Sequence, residues 1–192
     1  VSVLLYQLLK IMDREQMHVD LYTYGGVEAQ DLYRQFCDLG VNVILGGHPK
    51  YQAKEVAADL NRLMRDTKYD IVHCNTGQLE MTAIAMSIAF LHRVPLRIAH
   101  SHTTNLSGEQ RYGKRAQLYQ NAIALLSNCR LGCSSAALRH LFGQRGARKA
   151  SVMKNGIDSA KYVYDPALRR AVRERLNLPQ DAVVVGHVGR FA

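Results

Sequence analysis

Short apolar runs closed by glycine, asparagine, histidine or serine alternate along the chain with longer segments whose apolar residues recur at three-and-four spacing. This alternation constrains the fold more tightly than any single motif. Strands are predicted at His18–Tyr24, Val41–Leu45, Asp70–Cys74, Leu96–Ala99, Arg130–Cys133, Ser151–Lys154 and Ala182–Val188. Helices are predicted at Val1–Asp13, Val27–Leu39, Tyr51–Thr67, Leu79–His92, Gln110–Asn128, Ser135–Phe142 and Pro166–Asn177. Strands that alternate with helices form right-handed βαβ units, so the expected class is α/β with a mostly parallel sheet. The segment LEMTAIAMSIAFLH is apolar nearly all round and should lie sandwiched against the sheet rather than half exposed. His73, set in the apolar run DIVHC, is read as a core histidine.

A chain of 192 residues, 47% hydrophobic, can bury a full core as one large domain or a domain with an appendage. Its apolar stretches are too short or too interrupted to span a bilayer, and no leader pattern opens it, so a cytoplasmic or peripheral protein is expected. Both ends read as cut. The chain begins inside a helical pattern with no strand before it and stops on the strand-like VVVGHVGRFA. Cys37, Cys74, Cys129 and Cys133 are too sparse for a disulfide scaffold and read as ordinary thiols.

The formal charge of +9 is uneven. Residues 1–90 carry eight basic and eleven acidic side chains, and residues 91–192 carry seventeen and five. The positive half can attract nucleic acid, an anionic membrane surface or phosphorylated small molecules, and charge alone does not choose among them. Around RHLFGQRGARK, Arg139, Arg145, Arg148 and Lys149 cluster beside Leu141 and Phe142, which read as an apolar wedge next to the charges. The run RRAVRER reads as a solvated helix face.

Parallel strands send their carboxyl ends to one edge, where ligands bind in open α/β sheets. The groups that follow the predicted strands are Gly25-Gly26, Gly46-Gly47-His48, Asn75-Thr76-Gly77, His100-Ser101-His102, Ser134-Ser135 and Asn155-Gly156-Ile157-Asp158. Small residues there let backbone N–H groups and helix N-termini approach an anion. The stretch SVMKNGIDSAKY places an Asn-Gly turn between an apolar run and an aspartate able to cap a helix, which fits a strand-to-helix corner better than a hairpin. Ser134 and Ser135 serve equally as a helix N-cap or as ligand contacts. His100 and His102 lack a third residue at metal-ligand spacing and suit hydrogen bonding to a polyol or a phosphate.

The segments YDIVHCNTG, VPLRIAHSH, LGCSSAALRHLFG, SVMKNGIDSAKY and RERLNLPQDAVVVGHVGRF, in that order, resemble the amino-terminal half of the retaining glycosyltransferase family 4, in the flavour of bacterial capsule and exopolysaccharide enzymes. The resemblance implies a GT-B fold, with residues 1–180 as a Rossmann-like acceptor-side domain lacking its first strand and residues 181–192 opening the nucleotide-sugar-binding domain. It implies transfer of a sugar from a UDP- or GDP-linked donor to a carbohydrate or lipid-linked acceptor, with no cofactor and no metal. It assigns His100 and His102 to the catalytic position near the donor sugar and Arg190 to the diphosphate. Asn75, Thr76, Gly77, Ser134, Ser135, Asn155, Gly156 and Asp158 would bind substrate. The carboxyl-terminal domain of the same chain is an implied partner, and the segment alone is expected to be inactive. Three alternatives stand beside this reading: a non-hydrolysing sugar-nucleotide epimerase of the same architecture, a basic nucleic-acid-binding module, and a non-catalytic scaffold. Nucleic acid is disfavoured because no recognised binding motif or aromatic stripe accompanies the arginines.

Overall fold

The computed structural model describes residues 2–13, 15–24, 30–46, 52–104 and 115–187. The chain divides into two compact units, Val1–Gly156 and Ile157–Ala192. In the first, strands and helices alternate: α1 (Ser2–Ile11), β1 (Asp20–Thr23), α2 (Gln30–Asp38), β2 (Asn42–Leu45), α3 (Ala53–Asp66), β3 (Ile71–Cys74), α4 (Leu79–Leu91), β4 (Leu96–Ser101), α5 (Arg115–Leu126), β5 (Cys129–Gly132), α6 (Ser135–Ala147) and β6 (Ser151–Val152). Every strand pairing is parallel, in a two-stranded sheet β1-β2 and a four-stranded sheet β3-β4-β5-β6. The parallel α/β class expected from the alternation is the fold adopted.

Helix α4 carries the main core. Leu79, Met81, Thr82, Ala83, Ala85, Met86, Ile88 and Ala89 are buried, which uses almost the whole circumference. Its alanines let neighbouring helices come close, and the buried Thr82 hydroxyl is satisfied by donating to the Gln78 carbonyl at 2.9 Å. Val56, Leu60 and Met64 of α3, Ile123 of α5 and Leu138, Leu141 and Phe142 of α6 complete this cluster, with Ala99 of β4 beneath. A second, smaller cluster joins Leu9 of α1, Phe36 of α2 and Val41, with Tyr6 edge-on to Phe36 at 5.9 Å.

Helix α6 is broken at Gly143, whose φ of 66° and ψ of 177° belong to a region open essentially to glycine. The break leaves the His140 carbonyl to the buried Gln120 side chain of α5, which donates to it at 2.9 Å. Leu141 is fully buried and Phe142 is 2% exposed. These residues therefore anchor α6 in the core and do not form the surface wedge expected from the sequence. The reason is periodicity: Leu138, Leu141 and Phe142 share the face that α6 turns inward, while Arg139, Arg145, Arg148 and Lys149 are exposed.

Several arginines of the positive half are structural. Arg97 donates to the Leu126 carbonyl at 2.7 Å and the Val94 carbonyl at 2.6 Å, with its guanidinium 5.4 Å from the Phe90 ring. Arg130 donates to the carbonyls of Ala124 and Gly146. Both therefore satisfy carbonyls near the ends of α5 and α6, where a cation is favoured.

In the second unit a 3₁₀ turn at Ser159–Tyr162 precedes α7 (Pro166–Arg175). Asp165 caps α7 by accepting from Ala167 and Leu168 backbone N–H groups, and Pro166 begins the helix. The arginine-rich face is not simply solvated. Arg169 donates to the Gln180 carbonyl at 2.9 Å and Arg173 to the Ala182 carbonyl at 2.8 Å, folding the following segment onto the helix. The strand expected at Ala182–Val188 is not formed over residues 182–187. A strand exists only through a ladder partner, and none of the described strands pairs with this segment, leaving Val183 and Val185 exposed.

Gly143→Ala is expected to lower stability by about 1–3 kcal/mol and Leu141→Ala by about 2–5 kcal/mol. Arg145→Glu on the exposed face should stay within about 0.5 kcal/mol of wild type. Urea unfolding of the three variants checks all of these, and a neutral Leu141→Ala would restore the wedge.

Candidate functional site

The register of β3, β4 and β5 decides which side chains meet at the carboxyl edge. His73 is in register with Ile98, and Ser101 is in register with Gly132. Because successive strand residues alternate between faces, His73 and Asn75 share one face with Ile98, His100 and His102. Each residue from β3 reaches diagonally to the histidine two places beyond its register position. His73 Nε2 lies 3.2 Å from His100 Nδ1, and His102 Nε2 donates to Asn75 Oδ1 at 3.2 Å. The His73 and His100 rings are parallel within 3° at 5.4 Å, and the His100 and His102 rings lie 4.0 Å apart.

This arrangement corrects the reading of His73 as a core histidine. Its residue is exposed, because β3 is the outermost strand of the four-stranded sheet among the described residues. His100, by contrast, is fully buried. Of the buried ring atoms, His100 Nε2 and His102 Nδ1 have no hydrogen-bond partner among the described residues, and an orphaned buried polar atom costs about 1–3 kcal/mol. The two atoms belong to adjacent rings at the carboxyl edge of the sheet.

The electrostatics keep the rings neutral. Crowding by the surrounding protein, then the neighbouring His102, holds His73 down to about 4. Burial, then His102 and His73, holds His100 down to about 4. His102 is also lowered by burial, against which the Asn155 side chain facing it favours the protonated form. Asn155 is therefore brought to the histidines from beyond β6, as the shared edge requires.

The other sequence-predicted residues are placed as follows. Gly77 turns the chain into α4, and its carbonyl lies 3.2 Å from the buried His140 Nε2 of α6. A side chain at Gly77 would collide with Thr103 Cγ2, so the two loops touch there. The Thr76 hydroxyl accepts from the Gln78 backbone N–H at 3.2 Å. Ser134 is the N-cap of α6 and accepts from Ala137 at 3.1 Å, while Ser135 is exposed in the first turn. Asn155 and Gly156 are exposed, and neither has a positive φ. The corner after β6 thus needs no left-handed residue. Asp158 belongs to the second unit, where its side chain makes no capping hydrogen bond and lies 3.8 Å from Lys161. The segment it precedes is a single 3₁₀ turn. Arg190 lies outside the described residues, as do Gly25, Gly26, Gly47 and His48.

Sequence reasoning passed over His140 and Gln78. Gln78 donates to the Tyr24 hydroxyl at 3.1 Å and so links the segment after β1 to this edge. The pattern that points to His73 is the alternation His73-x-Asn75 opposite His100-x-His102. Among the described residues no group of three or more His, Cys, Asp or Glu side chains could hold a metal ion, and no helix is long and apolar enough to cross a membrane.

A family model described as Glycosyltransferase Family 4 matches residues 1–161. The chain is 28% identical over 136 residues to EpsF of Bacillus subtilis (strain 168), named as a proposed glycosyltransferase, covering 68% of this chain and 35% of EpsF. Its structure is similar to the crystal structure of Anabaena Alr3699/HepE in complex with UDP, with a TM-score of 0.62 and 18% identity over 92% of this chain. It is likewise similar to the same protein in complex with UDP-glucose, with a TM-score of 0.59 and 16% identity. The chain spans 46% of HepE and about a third of EpsF. The likeness to HepE agrees in fold with the amino-terminal half of a GT-B architecture.

His73 and His100 take up protons in the unfolded chain near pH 6.5 but in the folded chain near pH 4, so their contribution is full above about pH 6.5 and lost as pH falls through 4. The melting temperature should therefore drop across that window. It should drop less steeply in His100→Asn, which has no ring to protonate, and parallel pH profiles for variant and wild type would contradict the neutral, buried ring.

Proposed function

Because this chain belongs to glycosyltransferase family 4, we propose that the protein carrying it moves a sugar from a nucleotide-sugar donor, UDP- or GDP-linked, to a carbohydrate or lipid-linked acceptor, retaining the anomeric configuration. The single observation that carries this reading is the pair of unpartnered buried ring nitrogens of His100 and His102 at the carboxyl edge of a parallel sheet. The crystal structures of HepE in complex with UDP and with UDP-glucose support the donor class.

In the proposed reaction the bond between the anomeric carbon and the diphosphate oxygen breaks, and a bond from the acceptor hydroxyl oxygen to the same carbon forms. The nucleoside diphosphate departs with the electron pair of the broken bond, and its freed oxygen takes up the proton that the acceptor hydroxyl gives up. His100 and His102 hold the sugar, with Asn75 and Asn155 beside them. Arg190 and helix N-termini, including that of α6 capped by Ser134, offset the charge developing on the diphosphate, as electrostatic stabilisation does in general. This reaction as proposed requires no metal. Residues 1–180 would act as the acceptor-side domain, with a nucleotide-sugar-binding domain opening at residue 181.

The proposal extends to setting. Bacterial surface polysaccharide synthesis at the cytoplasmic face of a membrane fits an acceptor carried on a lipid. Arg139, Arg145, Arg148 and Lys149 are exposed together with no apolar wedge among them, so any membrane attraction by this patch is electrostatic, about 1 kcal/mol per basic residue near an anionic surface.

The test is transfer by the full-length protein from UDP- and GDP-sugars to a lipid-linked acceptor, followed by release of the nucleotide and by the anomeric configuration of the product. His100→Ala is expected to lower kcat/KM about tenfold or more, on the order of 1.4 kcal/mol per tenfold. Release of no nucleotide from any nucleotide sugar, or epimerisation without an acceptor, would overturn the reading.

A further inference from the structure

The contact between His73 and His100 has a property that neither ring has alone. A neutral imidazole carries one N–H, and the hydrogen bond made by one nitrogen dictates what the other presents. The contact joins His73 Nε2 to His100 Nδ1. If His73 donates, its proton is on Nε2, and His100, accepting at Nδ1, must carry its own proton on Nε2. If His100 donates instead, both rings carry the proton on Nδ1. The two tautomers are therefore locked together, and mixed states lose the hydrogen bond. Neutral histidine intrinsically favours the proton on Nε2, and the first arrangement gives both rings that form.

The second rung settles the neighbour. His102 Nε2 donates to Asn75 Oδ1, so its Nδ1 carries a lone pair and no proton, on a ring that the Asn155 side chain also faces. On the adjacent ring, 4.0 Å away, the free atom is His100 Nε2. We infer that His73 and Asn75 are positioning residues that fix these tautomers, so that His100 offers a hydrogen-bond donor and His102 an acceptor to a single hydroxyl group. A hydroxyl both accepts and donates and fits this pair. A phosphate at neutral pH mainly accepts, and would leave the His102 lone pair facing negative charge. Both rings being held neutral agrees with this selection. The tautomer lock stands on the unliganded geometry alone, whereas assignment of the hydroxyl to a sugar rests on the glycosyl-transfer reading. The hydroxyl belongs either to a sugar or to a buried water, and the experiment separates these.

The test is nitrogen-15 NMR of the histidine rings in the full-length protein at neutral pH, without ligand and then with added glucose or inorganic phosphate. In wild type the His100 proton is expected on Nε2 and the His102 proton on Nε2. His73→Phe, which keeps a ring but removes the donor, should move the His100 ring-nitrogen signals toward a mixture of tautomers. His73→Gln, whose amide N–H can stand where Nε2–H stood, should restore them. A His100 proton on Nδ1 in wild type, or signals unmoved in a folded His73→Phe protein, overturns the positioning role. A shift of both free nitrogens with glucose assigns the hydroxyl to a sugar, and unchanged signals with both additives assign it to a water. A larger shift with phosphate than with glucose overturns the hydroxyl selection. None of these readings requires transfer activity, so loss of the glycosyltransferase reading and loss of this one are separate results.

Discussion

Parallel strands cannot be joined by a tight turn, so each step from β3 to β6 must send a helix back across the sheet before the next strand can begin in the same direction. That constraint buries α4 on nearly all sides, since it packs between the strands it connects and the helices that cross beside it. It also delivers the residues that follow β3, β4, β5 and β6 to one edge. The hydrogen bonds from Cys133 to the Ser101 carbonyl and from Met153 to the Gly132 carbonyl, each 2.9 Å, extend the ladder to that edge and hold its loops in step.

The uneven charge illustrates how tertiary contacts reassign what a sequence advertises. Arg97 and Arg130 satisfy carbonyls at helix ends, and Arg169 and Arg173 hold the segment that follows α7. Backbone carbonyls at a helix end are an internal partner that a count of charges does not reveal. Arg139, Arg145, Arg148 and Lys149 remain exposed on α6 and just beyond it, where the opposite face of the helix is taken up by Leu138, Leu141 and Phe142.

At the carboxyl edge, stability and readiness for a ligand pull in opposite directions. Apolar side chains in place of His100 and His140 would bring no orphaned ring nitrogen of their own, yet the chain buries both rings with one nitrogen unpartnered on each. His140 is tied through its other nitrogen to Gly77 and through its carbonyl to Gln120, so α6, α5 and the loop before α4 meet at one residue. His100 is tied to His73, a ring that stays accessible.

The strand-helix alternation, the parallel class, the encirclement of α4 and the N-cap at Ser134 were all legible in the sequence, because each follows from periodicity or from the needs of a local backbone segment. The shared edge was legible too, as a consequence of parallel pairing. What periodicity could not reveal was register. Only the pairing of His73 with Ile98 sets His73 against His100 and Asn75 against His102, and a slip by one residue would send these side chains to the other face. Nor could it tell that Leu141 and Phe142 point inward, that residues 182–187 pair with none of the described strands, or that Asp158 precedes only a 3₁₀ turn. Those outcomes depend on which surfaces lie opposite, and a linear sequence states the composition of each face without stating its neighbour.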